Sequence, residues 1–372
     1  MLVRTHRRTG GPRPATVIIA VMNFTLELNA SRVIFGVGQV SAVAAEASQL
    51  GFRKPVIIST PSHRALALRV QGLIGAASSI FSGAVMHVPT DSIAAALLHV
   101  SQQQSDGCIC IGGSTTVGLA KAVSLETGLK SLAIPTTYAG SEMTPIWGIT
   151  RDGVKVTGRD PRVQPRTVIY DPELTLTLPP AVSGASGINA MAHAVEALYA
   201  ENRNPLISLV SEASIAALAE SLPLLTREPN NLAARTQALQ GAWLAGIALG
   251  TVGMAIHHKL CHVLGGSFSL PHAEVHSVML PYCVAYNRHH APAAVDAMAR
   301  ALQVPAADVP GALHDLVARV GAPTALKSLG MQLGDLERAA GIALARPYYN
   351  PREVTFDGVL ELLTTAWAGS RP

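Results

Sequence analysis

The chain has 372 residues, of which 49% are apolar and only 14% charged; that composition excludes a disordered protein and is long enough for two packed domains. Its formal net charge of +4 falls largely on Arg4, Arg7, Arg8 and Arg13, so no nucleic-acid partner is indicated. Four cysteines, Cys108, Cys110, Cys261 and Cys283, form no CxxC pair, which reads as a reduced, cytoplasmic protein.

Residues 1–22 combine a basic start with a short apolar run, Val17 to Val21, and Asn23, Thr25 and Glu27 follow at once. The run is too short for a signal-peptide core and no small-residue cleavage site follows it. This stretch is expected to be a disordered leader, with Met22 as a candidate start. No later stretch approaches the roughly 20 apolar residues of a membrane span, so no membrane association is expected.

From residue 32 to about 176, the β-rich runs "PVIIST" (55–60), "AVMHVP" (84–89), "GCICIGG" (107–113) and "SLAIPTT" (131–137) alternate with Ala-rich helical stretches. Such alternation predicts parallel strands joined by crossover helices, hence a Rossmann-like α/β domain over 23–180. Beyond "LTLPP" (176–180) the strand signals nearly vanish and Ala/Leu-rich periodic segments continue to the end. An all-α domain over 181–372 is expected, with a cleft at the junction.

In "CIGGSTTVGLAKA" (110–122) a hydrophobic strand runs through Gly112, Gly113, Ser114, Thr115 and Thr116 into a helix. Glycines there let a pyrophosphate approach backbone N–H groups and a helix N-terminus, although Gly-Gly after a strand is also an ordinary turn. A second hydroxyl-rich loop, "IPTTYAGSEMTP" (134–145), offers Thr136, Thr137 and Ser141, and the turn "FGVGQV" (35–40) offers Gly36 and Gly38. Several such loops at strand ends raise a dinucleotide above the plain turn.

In the second half, Asn189 and His193 are four apart on one predicted helix face, as are His258 and His262. His272 and His276 follow beyond Gly265-Gly266. Two helices and a loop can bring these polar side chains together, whereas His257, His289, His290 and His314 are read as packing residues.

The loops "GGSTTVGLAK" and "PTTYAGSE", the junction "YDPELTLTLPP", the segment "HHKLCHVLGGSFSLPHAEVHSVMLPY" and "YYNPREVT" (348–355) resemble the iron-containing alcohol dehydrogenase family, whose fold is dehydroquinate synthase-like. The resemblance runs from about residue 23 to the end. It implies an NAD(P)H-dependent oxidoreductase and a homodimer. Metal-binding members hold a divalent ion with one Asp and three His, at positions matching Asn189, His193, His258 and His272 here. Asn189 replaces the Asp, and a neutral amide is a poor ligand for a hard cation, so no metal is expected.

That departure suits the members that reduce the alkene of maleylacetate, a small dicarboxylate of aromatic-compound breakdown. Their reaction needs donors for an enolate oxygen and an acid for carbon. His258 and His262 are assigned to stabilise or protonate the enolate, Asn189, His193 and His272 to position substrate, and Tyr138 to act as a second donor. Lys259, Arg151, Lys155, Arg159 and Arg162 are candidate carboxylate-binding cations. Where NAD-preferring members carry an Asp, this chain has Ser59 and Thr60, near His63 and Arg64. NADPH is therefore expected beside NADH. The Gly-Gly-Gly-Ser loop of the family is Gly112-Gly113-Ser114-Thr115 here. Three alternatives stay open: a metal-dependent alcohol dehydrogenase, a non-catalytic nucleotide-binding module, and a lyase of the dehydroquinate synthase type, which would need the metal and more lysines near the site.

Overall fold

The computed structural model describes residues 23–28, 31–151 and 154–372; the expected leader lies outside them. Strands β1 (Arg32–Phe35), β2 (Val56–Ile58), β3 (Ser79–Phe81), β4 (Cys108–Gly112), β5 (Ser131–Pro135) and β8 (Thr167–Tyr170) form one sheet in the order β1-β8-β5-β4-β2-β3. Every pairing is parallel. Helices α1 (Val43–Gln49), α2 (Arg64–Ile74), α3 (Thr90–Gln103) and α4 (Ser114–Thr127) supply crossovers. The central strands are buried on both faces, which is why they read as apolar runs. Ile57, Ile109, Ile111, Leu132 and Ile134 point to one face, with α1 and α2, while Ile58, Cys108, Cys110 and Ala133 point to the other.

The chain leaves β2 for β3 on one side and returns to β4 on the other, so the order reverses between β2 and β4. A crevice at the carboxyl ends of such strands is where open α/β sheets bind ligands. The loops after β2, β4 and β5 meet there.

Two elements differ from expectation. Residues 84–89 are not a strand; β3 lies earlier, and His87 and Val88 take left-handed φ values of 66° and 52°. Their loop is held by Thr150, whose hydroxyl donates to the His87 carbonyl (2.8 Å) and whose N–H donates to that of Val88 (3.1 Å). Thr150 belongs to a hairpin of β6 (Ile146–Arg151) and β7 (Val154–Arg159) that the alternation did not suggest.

The second half is helical: α5 (Pro180–Ala197), α6 (Pro205–Arg227), α7 (Leu232–Thr251), α8 (Ile256–Phe268), α9 (His272–Asn287), α10 (Pro292–Leu302), α11 (Val309–Arg319), α12 (Leu336–Leu344) and α13 (Phe356–Ala368). Asn204 and Asn231 start α6 and α7 by accepting the N–H of Ile207 and Ala234. Contrary to the sequence reading, α6 has the length and hydropathy of a membrane-crossing helix; it packs against α5 and α7 and carries buried Ile207, Ile215, Leu218 and Leu222 on its inner face. One apolar cluster joins β4, β5 and α4 to α5, α6 and α7, which sets the sheet's carboxyl end against the helical half. A second cluster builds α8, α9, α12 and α13.

Candidate active site

Where the two halves meet lies a cavity of about 300 Å³. Ser114, Thr115 and Gly118 of α4 line one end, and Asn189, His193, His258, His262 and His272 line the other. Ala139, Ser141, Trp147 and Gly148 connect the ends. Five of the six residues expected to act on substrate are thus brought together, all but Tyr138, on the same cavity as Ser114 and Thr115.

Gly112 has φ +136° and a Cβ there would lie 2.9 Å from Thr116 Oγ1. This loop conformation needs glycine, and it delivers the backbone to the α4 N-terminus with no acidic residue in the first turn. A Cβ on Gly113 would press on Thr137. Thr116 donates to the Gly113 carbonyl. Thr136 shares a hydrogen bond with His63 Nε2 (3.0 Å), and Thr60 shares one with Nδ1 of the same ring (2.8 Å). His63 therefore ties the loop after β2 to the loop after β5. Ser59 is buried against Ser82. The turn of Gly36 and Gly38 lies at the end of β1, where Asp171 accepts the N–H groups of Gly38 (3.1 Å) and Val40 (3.0 Å); those two donors are committed within the protein.

The histidine end is organised by Glu196, which the sequence reading missed. It is wholly buried on α5, three residues after His193. Between α7 and α8 the chain turns by 97°, and the Glu196 carboxylate accepts the N–H groups of Ala255 (3.1 Å), His257 (2.7 Å) and His258 (3.3 Å) that this turn exposes. It also accepts from His258 Nδ1 at 2.5 Å. Nε2 of His258 thereby faces His193 Nδ1 at 2.8 Å. His193 Nε2 lies 3.3 Å from the Ala139 carbonyl and 3.5 Å from Asn189 Nδ2. Nδ1–H of His258 is directed to the carboxylate, so a proton between the two rings sits either on His193 Nδ1 or on His258 Nε2. The second arrangement makes His258 an imidazolium paired with Glu196 and frees His193 to donate to Ala139.

Behind this pair, His257 Nε2 and His276 Nδ1 share a hydrogen bond of 2.9 Å. Burial, and then neighbouring rings, hold His193, His257 and His276 well below the usual histidine range. Burial pushes His262 and His272 down to about 3, reinforced by His258 and Lys155. The His262 side chain is exposed to the cavity. Among the described residues the Asn189 carbonyl oxygen has no hydrogen-bond partner, leaving this amide for whatever fills the cavity.

Tyr138, expected as a second donor to substrate, does not line the cavity. Its phenol is fully buried at the junction, accepting from Arg235 (3.1 Å) and donating to Thr175 (3.4 Å). The Arg235 guanidinium, also fully buried, needs acceptors, and Tyr138, Ser183 and the Leu178 carbonyl supply them. Lys121 is a cavity residue the sequence did not single out; its ammonium is taken up by the Ser141 carbonyl, Thr144 and the Ile146 carbonyl. Of the candidate cations, Arg162 pairs with Asp160, Arg159 donates to the Gly250 carbonyl, Lys259 lies over Tyr348 and Arg151 is exposed. Lys155 alone among them lines the cavity.

Residues 30–172 match the iron-containing alcohol dehydrogenase family, and residues 183–367 match its C-terminal domain. A maleylacetate reductase from Burkholderia cepacia is 49% identical over 350 residues, 94% of this chain and 99% of that protein. Among solved structures, a putative alcohol dehydrogenase from Ralstonia eutropha JMP134 superposes with a TM-score of 0.92 at 49% identity, covering 94% of this chain and 99% of that one. A maleylacetate reductase from Agrobacterium tumefaciens gives 0.91 at 43% identity, covering 94% and 100%. With both halves matched in order and nearly the whole length shared, the chain belongs to the iron-containing alcohol dehydrogenase family.

Proposed function

We propose that this chain reduces the carbon–carbon double bond of maleylacetate to give 3-oxoadipate, using NADH or NADPH. The observation that carries the reading is the continuous cavity, lined by the N-terminal turn of α4 and by a histidine cluster backed by Glu196. The relatives' name supplies the substrate.

The residues fit a dinucleotide. Gly112, Gly113 and Ser114 form the turn into the α4 N-terminus that would take the pyrophosphate, and Ser114, Thr115 and Ser141 line the cavity, whereas Thr116 and Thr136 shape the loops from within through the Gly113 carbonyl and His63. The chemistry that NAD(P)H supplies when bound is hydride transfer to carbon. No carboxylate stands at the end of β2, where Ser59, Thr60 and exposed Arg64 lie; this supports acceptance of a 2′-phosphate, and a preference for NADH above about a thousandfold would contradict it.

Reduction of an alkene conjugated to a ketone passes negative charge to the ketone oxygen and requires one proton at carbon. His258 is the acid: it lines the cavity, Glu196 accepts from its Nδ1, and its Nε2 shares a hydrogen bond with Nδ1 of His193, a second ring of the cavity wall. His262 acts as a neutral N–H donor to the developing oxyanion, since its surroundings disfavour a charged ring. Asn189, His193 and His272 orient the substrate, the Asn189 amide presenting a free end.

The family's name implies iron, and the donor set here does not fit a hard divalent cation. Its four positions offer an amide and three imidazoles with no anionic donor. Among the described residues, the one group of His, Cys, Asp or Glu whose ligand atoms converge is His257, Cys261 and His276, behind the catalytic rings. No step is assigned to a metal. One feature favours a metal-dependent alcohol dehydrogenase instead, because a carboxylate behind an imidazole also orients metal ligands. Maleylacetate-dependent oxidation of NADH, measured before and after exhaustive chelation with metal analysis of the same sample, separates the two. Turnover is expected to survive chelation; loss on chelation and recovery with zinc or iron would overturn the metal-free assignment.

A further inference from the structure

A second cavity, of about 220 Å³, adjoins the first and is lined by Thr150, Cys261, Gly265, Gly266 and Ser269. His87, Lys155, His262 and His272 line both, so Lys155 stands where the two meet. Among the described residues no Asp or Glu lines either cavity. Lys121, the other lysine on the walls, has three acceptors within 2.9 Å. Lys155 has no hydrogen-bond or ion-pair partner among the described residues. From the directions around it come His87 of the 84–89 loop, Thr150 and Gly148 of β6, His262 of α8 and His272 of α9, none of them anionic. Gly148 gives the lysine its course: a Cβ there would lie 3.1 Å from Lys155 Cε, so the absence of a side chain lets the stem cross the wall.

We propose that Lys155 binds one carboxylate of the substrate, in the second cavity, and is the residue that selects a dicarboxylate over a monocarboxylate. This rests on the reading of the first cavity as the site of enoate reduction. Lys155 is an exposed residue whose side chain lines both cavities, so its ammonium is reachable from them; the cavity walls take part of its hydration and lower its pKa, and an incoming carboxylate offsets that cost with a charge-assisted hydrogen bond. Placing the anion beyond His262 and His272 lays the conjugated part of the molecule across the histidine cluster, so the same contact orients the reacting bond.

The test uses the whole NADPH-loaded protein and two non-reacting probes, maleate and its cis monocarboxylate counterpart isocrotonate. Lys155→Met is expected to raise the KM for maleylacetate and the inhibition constant of maleate by about tenfold or more, with a smaller fall in kcat, while isocrotonate changes by less than about twofold. Lys155→Arg should retain most of the wild-type preference. If Lys155→Met does not fold, Lys155→Gln carries the same comparison. KM and the maleate constant both within about twofold of wild type would overturn the proposal. Maleate binding measured by calorimetry separates it from the reading beneath it. A wild-type protein that binds maleate through Lys155 but does not turn over maleylacetate would leave the anion site standing and remove the substrate.

Discussion

Glu196 is the buried carboxylate of α5, and its neighbours account for it fully: three backbone N–H groups and one imidazole surround it. Its burial is tolerable because these donors replace the water it loses. The same residue starts α8 and sets the direction of His258, linking local backbone satisfaction to catalysis. Glu196→Gln should therefore lower turnover by about a hundredfold or more while leaving NADH affinity, read by fluorescence titration, close to wild type. Turnover within a few-fold of wild type would mean that the imidazole does not depend on its carboxylate. The sequence held a clue, for Glu196 follows His193 by three positions and shares its helix face. Read singly, a glutamate in an Ala-rich helix is an ordinary solvent-facing residue, and nothing local says that α8 will fold against it.

At the scale of elements, the site depends on how closely α7 approaches the loop after β5. Gly140, in a left-handed turn with φ +78°, packs on Gly246, where a Cβ would meet the Gly140 carbonyl oxygen at 2.6 Å. Backbone lies against backbone, so neither side has a flexible group to yield. Gly246→Ala should push α7 away from residues 139–141, destabilise the protein by about 1–3 kcal/mol in denaturant titration and weaken dinucleotide binding along with it. An unchanged midpoint would show that the turn can move freely. The 84–89 loop and the β6–β7 hairpin make a related point. Ala84, Val85, Met86 and Val88 look like strand residues, but the loop is instead fastened through Thr150, a contact between segments more than sixty residues apart. The hairpin was legible, since Asp152-Gly153 falls between two runs of mixed apolar and polar residues, a recognised hairpin signal.

For the whole molecule, packing so many imidazoles into one interior ties stability to pH. His193, His257 and His276 are buried and held well below the usual range. Below about pH 6.5 the unfolded chain takes up protons at these positions while the folded protein does not, so stability falls as pH falls, by up to about 1.4 kcal/mol per pH unit for each histidine. The urea midpoint at about pH 5 should accordingly lie well below that at about pH 7.5, and equal midpoints would contradict the burial of these rings in neutral form. Much of the architecture was written in the sequence alone: an alternating half with a parallel sheet, a helical half, the glycine loop after β4, and histidine pairs four apart on helix faces. Periodicity and loop chemistry depend on neighbours along the chain, which is why they can be read there. Only tertiary packing decided that Tyr138 belongs to Arg235, that His63 joins two strand ends, that Glu196 backs His258 and that Lys155, of the five candidate cations, lines the cavity. Each of these depends on segments distant in sequence meeting at one place, and what brings them together is the shared burial of the sheet against the helices rather than any local preference.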